Sequence, residues 1–295
     1  MAKKKPQNVL LVVDGMNFLH RGFWAINYNM TNKDGNPTSA IRGFISILLA
    51  DLTHINATHC AVVFDRKGKN FRHKLYPEYK GQRVQDEQTK DLHAQIFPLK
   101  KLLNAMGIKV YGIPGKEGDD LIGSLAVTCN ELDPKAQVYI GSRDKDFAAL
   151  VNKRIHLLRP QKEILDEQGV LDTWGVPPSK MVEYLMLLGD GVDNIPGVNK
   201  VGPKTAAKIL NEHGSIKKWL PTKKTPAMHR NVEAVRDFFP MSRKLITIRT
   251  DFFPNMRWDK LVIQPYDDNE LERICSDLDF RSTYKQIKTM LSKLP

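Results

Sequence analysis

Residues 8–14 read NVLLVVD: one polar residue, five apolar ones and an aspartate, Asp14. A run this short, rich in valine and without polar alternation, fits a strand buried on both faces, as parallel sheets require. It is too short for a signal-peptide core or a membrane span, and it ends on an acid. The same pattern recurs as HCAVVFD up to Asp65, IKVYGI at 108–113, and AQVYIGSRD up to Asp144. Helical patterns separate these runs: SAIRGFISILLADL with Ser39 as its cap, DLHAQIFPLKKLLNAMG interrupted at Pro98, and DDLIGSLAVTCNEL opening on acids. Strand and helix in alternation imply crossover connections. The expected fold class is α/β, a mostly parallel sheet with helices on both faces.

From about residue 175 the character changes, and no further strand is expected. PPSKMVEYLMLLGD reads as a helix ending near Gly189, DNIPGVNKVGPKTAAKIL as a hairpin feeding a helix, and residues 269–294 as one helix returning to the core. The chain of 295 residues therefore divides into a core at 1–175 and a helical region at 176–295. Apolar content of 41% supports a core without staples, and three scattered cysteines, Cys60, Cys129 and Cys275, argue against a disulfide framework or zinc site. They favour a reducing, cytoplasmic setting. None of the eight histidines shows a zinc-ligand spacing.

The formal net charge is +12, which points to a polyanionic partner. Against that background the acids are concentrated. Asp14, Asp65 and Asp144 stand at or just past the ends of expected strands, where α/β sheets gather functional groups. Asp144 and Asp146 would point the same way if the strand continued. Glu117, Asp119 and Asp120 crowd one helix start in GKEGDDLIG, with Glu117 expected in the preceding loop, and GDGVDNIPG adds Asp190 and Asp193. Crowded carboxylates repel, and hard divalent cations such as Mg²⁺ or Mn²⁺ relieve that repulsion through oxygen ligands. Two such ions can stabilise the attacking and leaving oxygens of phosphoryl transfer. Taken singly, each acid also fits a cap or turn.

In order, VVDGMN, VFD, YPEYKGQR, KEGDD, SRDKDF, LLGDGVDNIPG and VGPKTAAKIL resemble the flap-endonuclease family of 5′ nucleases. The similarity is nearest to the 5′-nuclease domain of bacterial DNA polymerase I and its stand-alone bacteriophage relatives. It implies a PIN-like core with a helical arch near 73–100 and a helix–hairpin–helix near 190–213. It implies a Mg²⁺-dependent structure-specific 5′ nuclease, both 5′-3′ exonuclease and flap endonuclease, hydrolysing DNA phosphodiesters at 5′ flaps, nicks or ends with metal-activated water. All nine acids (Asp14, Asp65, Glu117, Asp119, Asp120, Asp144, Asp146, Asp190 and Asp193) match the family's metal positions, for two or more ions. Lys80 and Arg83 match the base of the arch, and Arg21 a further arginine near the scissile phosphate. Tyr79 is a candidate for base stacking, and Phe23 and Trp24 for a wall beside the junction. Gly197, Val201, Gly202, Lys204, Thr205 and Lys208 match the hairpin that holds duplex phosphates.

Two positions depart from the family. Lys200 stands where the hairpin usually has glycine, which leaves open the turn and the K⁺ site that the resemblance implies there, and Gly118 replaces the usual alanine. The resemblance implies a monomer without membrane attachment, acting alone or with separate replication proteins. The competing readings are an RNA-directed, RNase H-like 5′ nuclease and an inactive protein that binds DNA junctions.

Overall fold

In the computed structural model, residues 7–26, 30–66, 68–82 and 87–293 are described, with the side chains of 87–89 excepted. Six strands form one sheet: β1 Val9–Asp14, β2 His59–Val63, β3 Lys109–Tyr111, β4 Gln137–Gly141, β5 Ile155–Arg159 and β6 Glu163–Leu165. The order is β3-β2-β1-β4-β5-β6. Every pair is parallel except β5–β6. The order reverses between β1 and β4, the switch point at which such sheets open a crevice at their carboxyl edge. Asp14 and Asp144 flank that point.

The helices in the first part are α1 Gly15–Ala25, α2 Ser39–His54, α3 Phe71–Leu75, α4 Glu87–Ala94, α5 Ile96–Ala105, α6 Gly118–Leu132 and α7 Glu167–Trp174. After them come α8 Met181–Leu188, α9 Pro203–His213, α10 Ile216–Trp219, α11 Pro226–Glu233, α12 Phe239–Ile246, α13 Asp268–Asp277 and α14 Arg281–Leu291. Alternation along β1 sorts the core into two halves. Leu10 and Val12 face a cluster with Leu121 and Leu125 of α6, Leu185 of α8 and Ala206 of α9. Leu11 and Val13 face Phe18 of α1, Phe44 of α2, Leu99 of α5 and Leu271 of α13. The sheet is thus buried on both sides, as its apolar strands demand. Among the described residues, no helix is long and apolar enough to cross a membrane.

The structure differs from the sequence reading in four places. β5 and β6 are not expected from sequence, because His156 and Arg159 interrupt the apolar run of β5 and the edge strand β6 is short and largely exposed. The break near Pro98 falls instead at Gln95; Pro98 lies in the first turn of α5, where a missing N–H costs no helical hydrogen bond. The final helix is two, divided where Asp279 turns to φ 57°. Strand β4 ends at Gly141, and residues 145–150 form a 3₁₀ turn capped by Asp144. Strand alternation therefore does not align Asp144 with Asp146.

Candidate active site

Each acid owes its position to a backbone feature. Asp14 ends β1 and caps α1: its Oδ1 accepts the Asn17 N–H at 2.9 Å and its Oδ2 accepts the Ser142 hydroxyl at 2.8 Å. Asp65, two residues beyond β2, accepts the Gly118 N–H at the start of α6 at 2.6 Å. A side chain at 118 would put its Cβ 3.2 Å from that carboxylate oxygen, so the glycine gives Asp65 room against the helix end. Asp144 accepts the Asp146 N–H at 2.9 Å. Gly189 ends α8 with φ 70°, and the following loop closes by paired hydrogen bonds between Asp190 and Ile195. A Cβ on Gly197 would lie 2.2 Å from the Leu188 carbonyl, so this close backbone approach requires glycine.

These features bring acids from both parts of the chain to one pocket. Glu117, Asp119, Asp146, Asp190 and Asp193 line it with Arg72, Tyr79, Leu185 and Ile248. Its free volume is about 20 Å³, room for one water-sized body. Asp119 lies within the electrostatic reach of Asp14, Asp144 and Asp65; burial first, and those charges second, hold its carboxyl well above the usual range. Burial likewise raises Asp14 to about 6, and burial with the Asp144 charge raises Asp146 to about 7. Asp190 behaves oppositely: burial alone would raise it, but the Lys145 ammonium at 2.8 Å holds it below the ordinary value.

Glu117 occupies the extended position before α6 and not the helix itself, so helical periodicity does not tie its direction to that of Asp119. It accepts from Asn70, from Arg72 at 3.1 Å, from the Tyr79 hydroxyl at 3.2 Å and from Lys80 at 3.3 Å. Asp120 is not brought to the pocket. One residue further round α6, it is 1% exposed and accepts from Arg72 through both oxygens, at 2.7 and 2.8 Å, and from the Arg249 N–H at 2.9 Å. Unlike the acids that line the pocket, Asp120 uses its oxygens to hold a buried guanidinium.

The stacking role expected of Tyr79 is corrected. Its side chain is 3% exposed, and its hydroxyl donates to Glu117 and to Asp193 at 3.0 Å. Burial first, and the charges of Glu117 and Asp193 second, raise its pKa; it braces the site and offers no face to a base. Lys80 sits 4.9 Å above that ring, with Nζ 3.3 Å from Glu117 and 3.9 Å from Asp193. Arg83 lies outside the described residues, as do 84–86 of the expected arch. Arg21 does not line the pocket. Its guanidinium rests 4.8 Å from the Phe18 ring, within the fields of Asp51 and of Arg143, the residue before Asp144. Phe23 is buried, whereas Trp24 is 61% exposed.

The hairpin runs into α9, whose first turn begins at Gly202 and Pro203 with no side-chain cap. Its early N–H groups are therefore available to an anion. Lys204 is exposed beside them and Thr205 half-buried; Val201 is buried beneath, and exposed Lys208 lies 3.8 Å from Glu212. Lys200 adopts φ 63°. The turn therefore keeps at Lys200 the left-handed geometry that glycine would favour.

Sequence reading missed three residues. Arg72 lies in FRHKL, a basic run that reads as surface, yet it is 2% exposed. Ser142 and Lys145 lie inside SRDKDF, and only their contacts distinguish them from spacers.

The donor set is all oxygen, which suits hard divalent ions. Among the described residues no three His, Cys, Asp or Glu side chains close into a compact metal cage. An open arrangement of this kind is compatible with ions that keep several waters. The raised carboxyls of Asp14, Asp119 and Asp146, held up first by burial and then by neighbouring acids, are the observation that fits a cation.

Residues 9–175 match the family model of the 5′-3′ exonuclease N-terminal resolvase-like domain, and residues 176–269 that of the 5′-3′ exonuclease C-terminal SAM fold. A 5′-3′ exonuclease of Aquifex aeolicus is 34% identical over 280 residues, covering 94% of both chains. DNA polymerase I of Pseudomonas aeruginosa is 35% identical over 287 residues, 94% of this chain and 31% of the polymerase. The D15 protein of bacteriophage T5, crystallised with metal ions, shares the fold with a TM-score of 0.66 at 20% identity, covering 96% of this chain and 99% of that one.

Proposed function

Since the chain belongs to the 5′-3′ exonuclease family, we propose that it is a structure-specific nuclease hydrolysing DNA phosphodiesters at 5′ flaps, nicks or ends in a divalent-metal-dependent reaction. The observation that carries the reading is the shared pocket, where Glu117, Asp119 and Asp146 of the sheet region meet Asp190 and Asp193 of the loop after α8. Asp14, Asp65, Asp119 and Asp144 would hold one ion at the switch point, and Asp146, Asp190 and Asp193 a second. Divalent ions there would lower the pKa of a water and neutralise charge developing on the phosphate. Metal ions and DNA in structures of the T5 D15 protein support this assignment.

The chain's own groups orient the substrate. Lys80, held by Glu117 and Asp193, would contact the phosphate at the pocket mouth and stabilise its charge in the transition state. The open first turn of α9, with Lys204 and Thr205, would hold duplex phosphates without reading bases, and the left-handed turn at Lys200 keeps a K⁺ site there in play. Ser142 and Asn17 fix the Asp14 carboxylate, and Gly118 fixes that of Asp65.

The test is a 5′-labelled flap incubated with Mg²⁺ or chelator, with product lengths resolved. An intact released flap shows endonuclease action and mononucleotides show exonuclease action; an RNA–DNA hybrid run in parallel tests the RNA-directed alternative. Asp144→Asn/Asp146→Asn should abolish cleavage and leave most duplex binding. Mg²⁺-dependent cleavage by that variant would overturn the site.

A further inference from the structure

Three cations stand among the acids of the pocket, and exposure separates them. The Arg72 side chain is 3% exposed, that of Lys80 18%, and that of Lys145 39%. Arg72 is enclosed and permanent. Lys145 is different: it stands between Asp144 and Asp146 in sequence, and its ammonium lies 2.8 Å from Asp190 and 3.9 Å from Asp146. It thus spans one acid from the 3₁₀ turn at 145–150 and one from the loop after α8. Both acids are half-buried, and the ammonium has open solvent to one side.

Resting on the metal-dependent reading above, we propose that Lys145 is a positioning residue that competes with the second divalent ion. Its ammonium docks the 190–193 loop against the 3₁₀ turn at 145–150, and it yields the Asp146 and Asp190 oxygens when the ion is taken up. Carboxylates already paired with one cation bind another less tightly, because the first interaction must be given up. The two occupants are linked reciprocally, so each lowers the affinity of the other by the same factor. The second ion is therefore bound more weakly than its three acids alone would allow, while the loop keeps its place without it.

The experiment is a Mn²⁺ titration of the full chain, with free Mn²⁺ read by electron paramagnetic resonance, alongside thermal unfolding in chelator and in saturating Mn²⁺. Lys145→Met should bind the weaker Mn²⁺ about 10-fold more tightly, within the usual span of such couplings. Its Tm should fall in chelator and match wild type in saturating Mn²⁺. Lys145→Arg, which keeps the charge, should show no tightening, and Lys145→Gln should repeat the methionine result if that variant folds poorly. Unchanged or weaker Mn²⁺ binding, or an equal loss of Tm in both conditions, would reduce Lys145 to an ordinary structural tie and overturn the proposal. If wild type itself takes up no Mn²⁺ and Asp146→Asn changes nothing, the metal reading falls and this inference with it. If Asp146→Asn lowers Mn²⁺ stoichiometry while Lys145→Met binds as wild type does, the lysine proposal alone falls.

Discussion

Replacing Arg72 by methionine tests whether a buried cation braces the acidic helix start. The guanidinium donates to both oxygens of Asp120, to Glu117 at 3.1 Å, and to the carbonyls of Leu245 at 2.7 Å and Thr247 at 3.1 Å. Those carbonyls lie at the C-terminal end of α12, so one side chain joins α3, α6 and α12. Asp120 is 1% exposed and Glu117 7%, and water cannot readily replace the lost partner. Removing one member of a buried, hydrogen-bonded ion pair costs about 3–5 kcal/mol. Two helix-end carbonyls losing a donor push the loss toward the upper end. For a chain of this size that is on the order of 10 °C in Tm. Urea and thermal unfolding followed by circular dichroism would measure it. The double variant Arg72→Met/Asp120→Asn should recover about 1–2 kcal/mol of the single loss, since it no longer buries an unpaired carboxylate. A single-variant loss below about 1 kcal/mol, or strictly additive effects in the double variant, would refute the bracing role.

Lys80→Ala should slow cleavage roughly 10²-fold or more, by the measure of lost transition-state donors, with a far smaller effect on duplex affinity; equal losses in single-turnover rate and binding would count against a transition-state role. Asp14 and Asp146 are raised to about 6 and about 7 in the folded chain, so the fold binds their protons more tightly than the unfolded chain does. Their contribution to stability is fully present below about pH 4 and is lost as pH rises through 6–7. For Asp14 alone the shift corresponds to about 3 kcal/mol. In chelator, Asp146→Asn should therefore lose less Tm than wild type between pH 5 and pH 8, and Mg²⁺ should restore more wild-type Tm at pH 8 than at pH 5; parallel pH profiles would contradict the repulsion. Lys200→Gly should raise stability or leave it level, because the left-handed φ of 63° costs a lysine about 1 kcal/mol, and a clear fall in the urea midpoint would mean that the lysine side chain holds the turn.

Much of the fold was legible because the decisive signals are local. Three apolar runs that end at Asp14, Asp65 and Asp144 form largely buried strands wherever they pack, and Gly189 stops α8 by its own backbone freedom. Strands β5 and β6 were not legible, since His156 and Arg159 interrupt the apolar run of β5 and the edge strand β6 is only three residues long and largely exposed. Within the site, the sequence alone determined which acids exist, their order, and the extended position of Glu117 before α6. Tertiary structure alone decided their company. Whether Asp120 faces an ion or Arg72, whether Tyr79 is open or buried, and whether Lys145 reaches Asp190 depend on side chains from segments more than forty residues apart. Such contacts form only once the sheet and the second region have packed. A helix start crowded with acids reads as a single cluster in sequence. In the fold, the 100° turn between neighbouring helical residues sends Asp119 to the open pocket and Asp120 to a buried arginine.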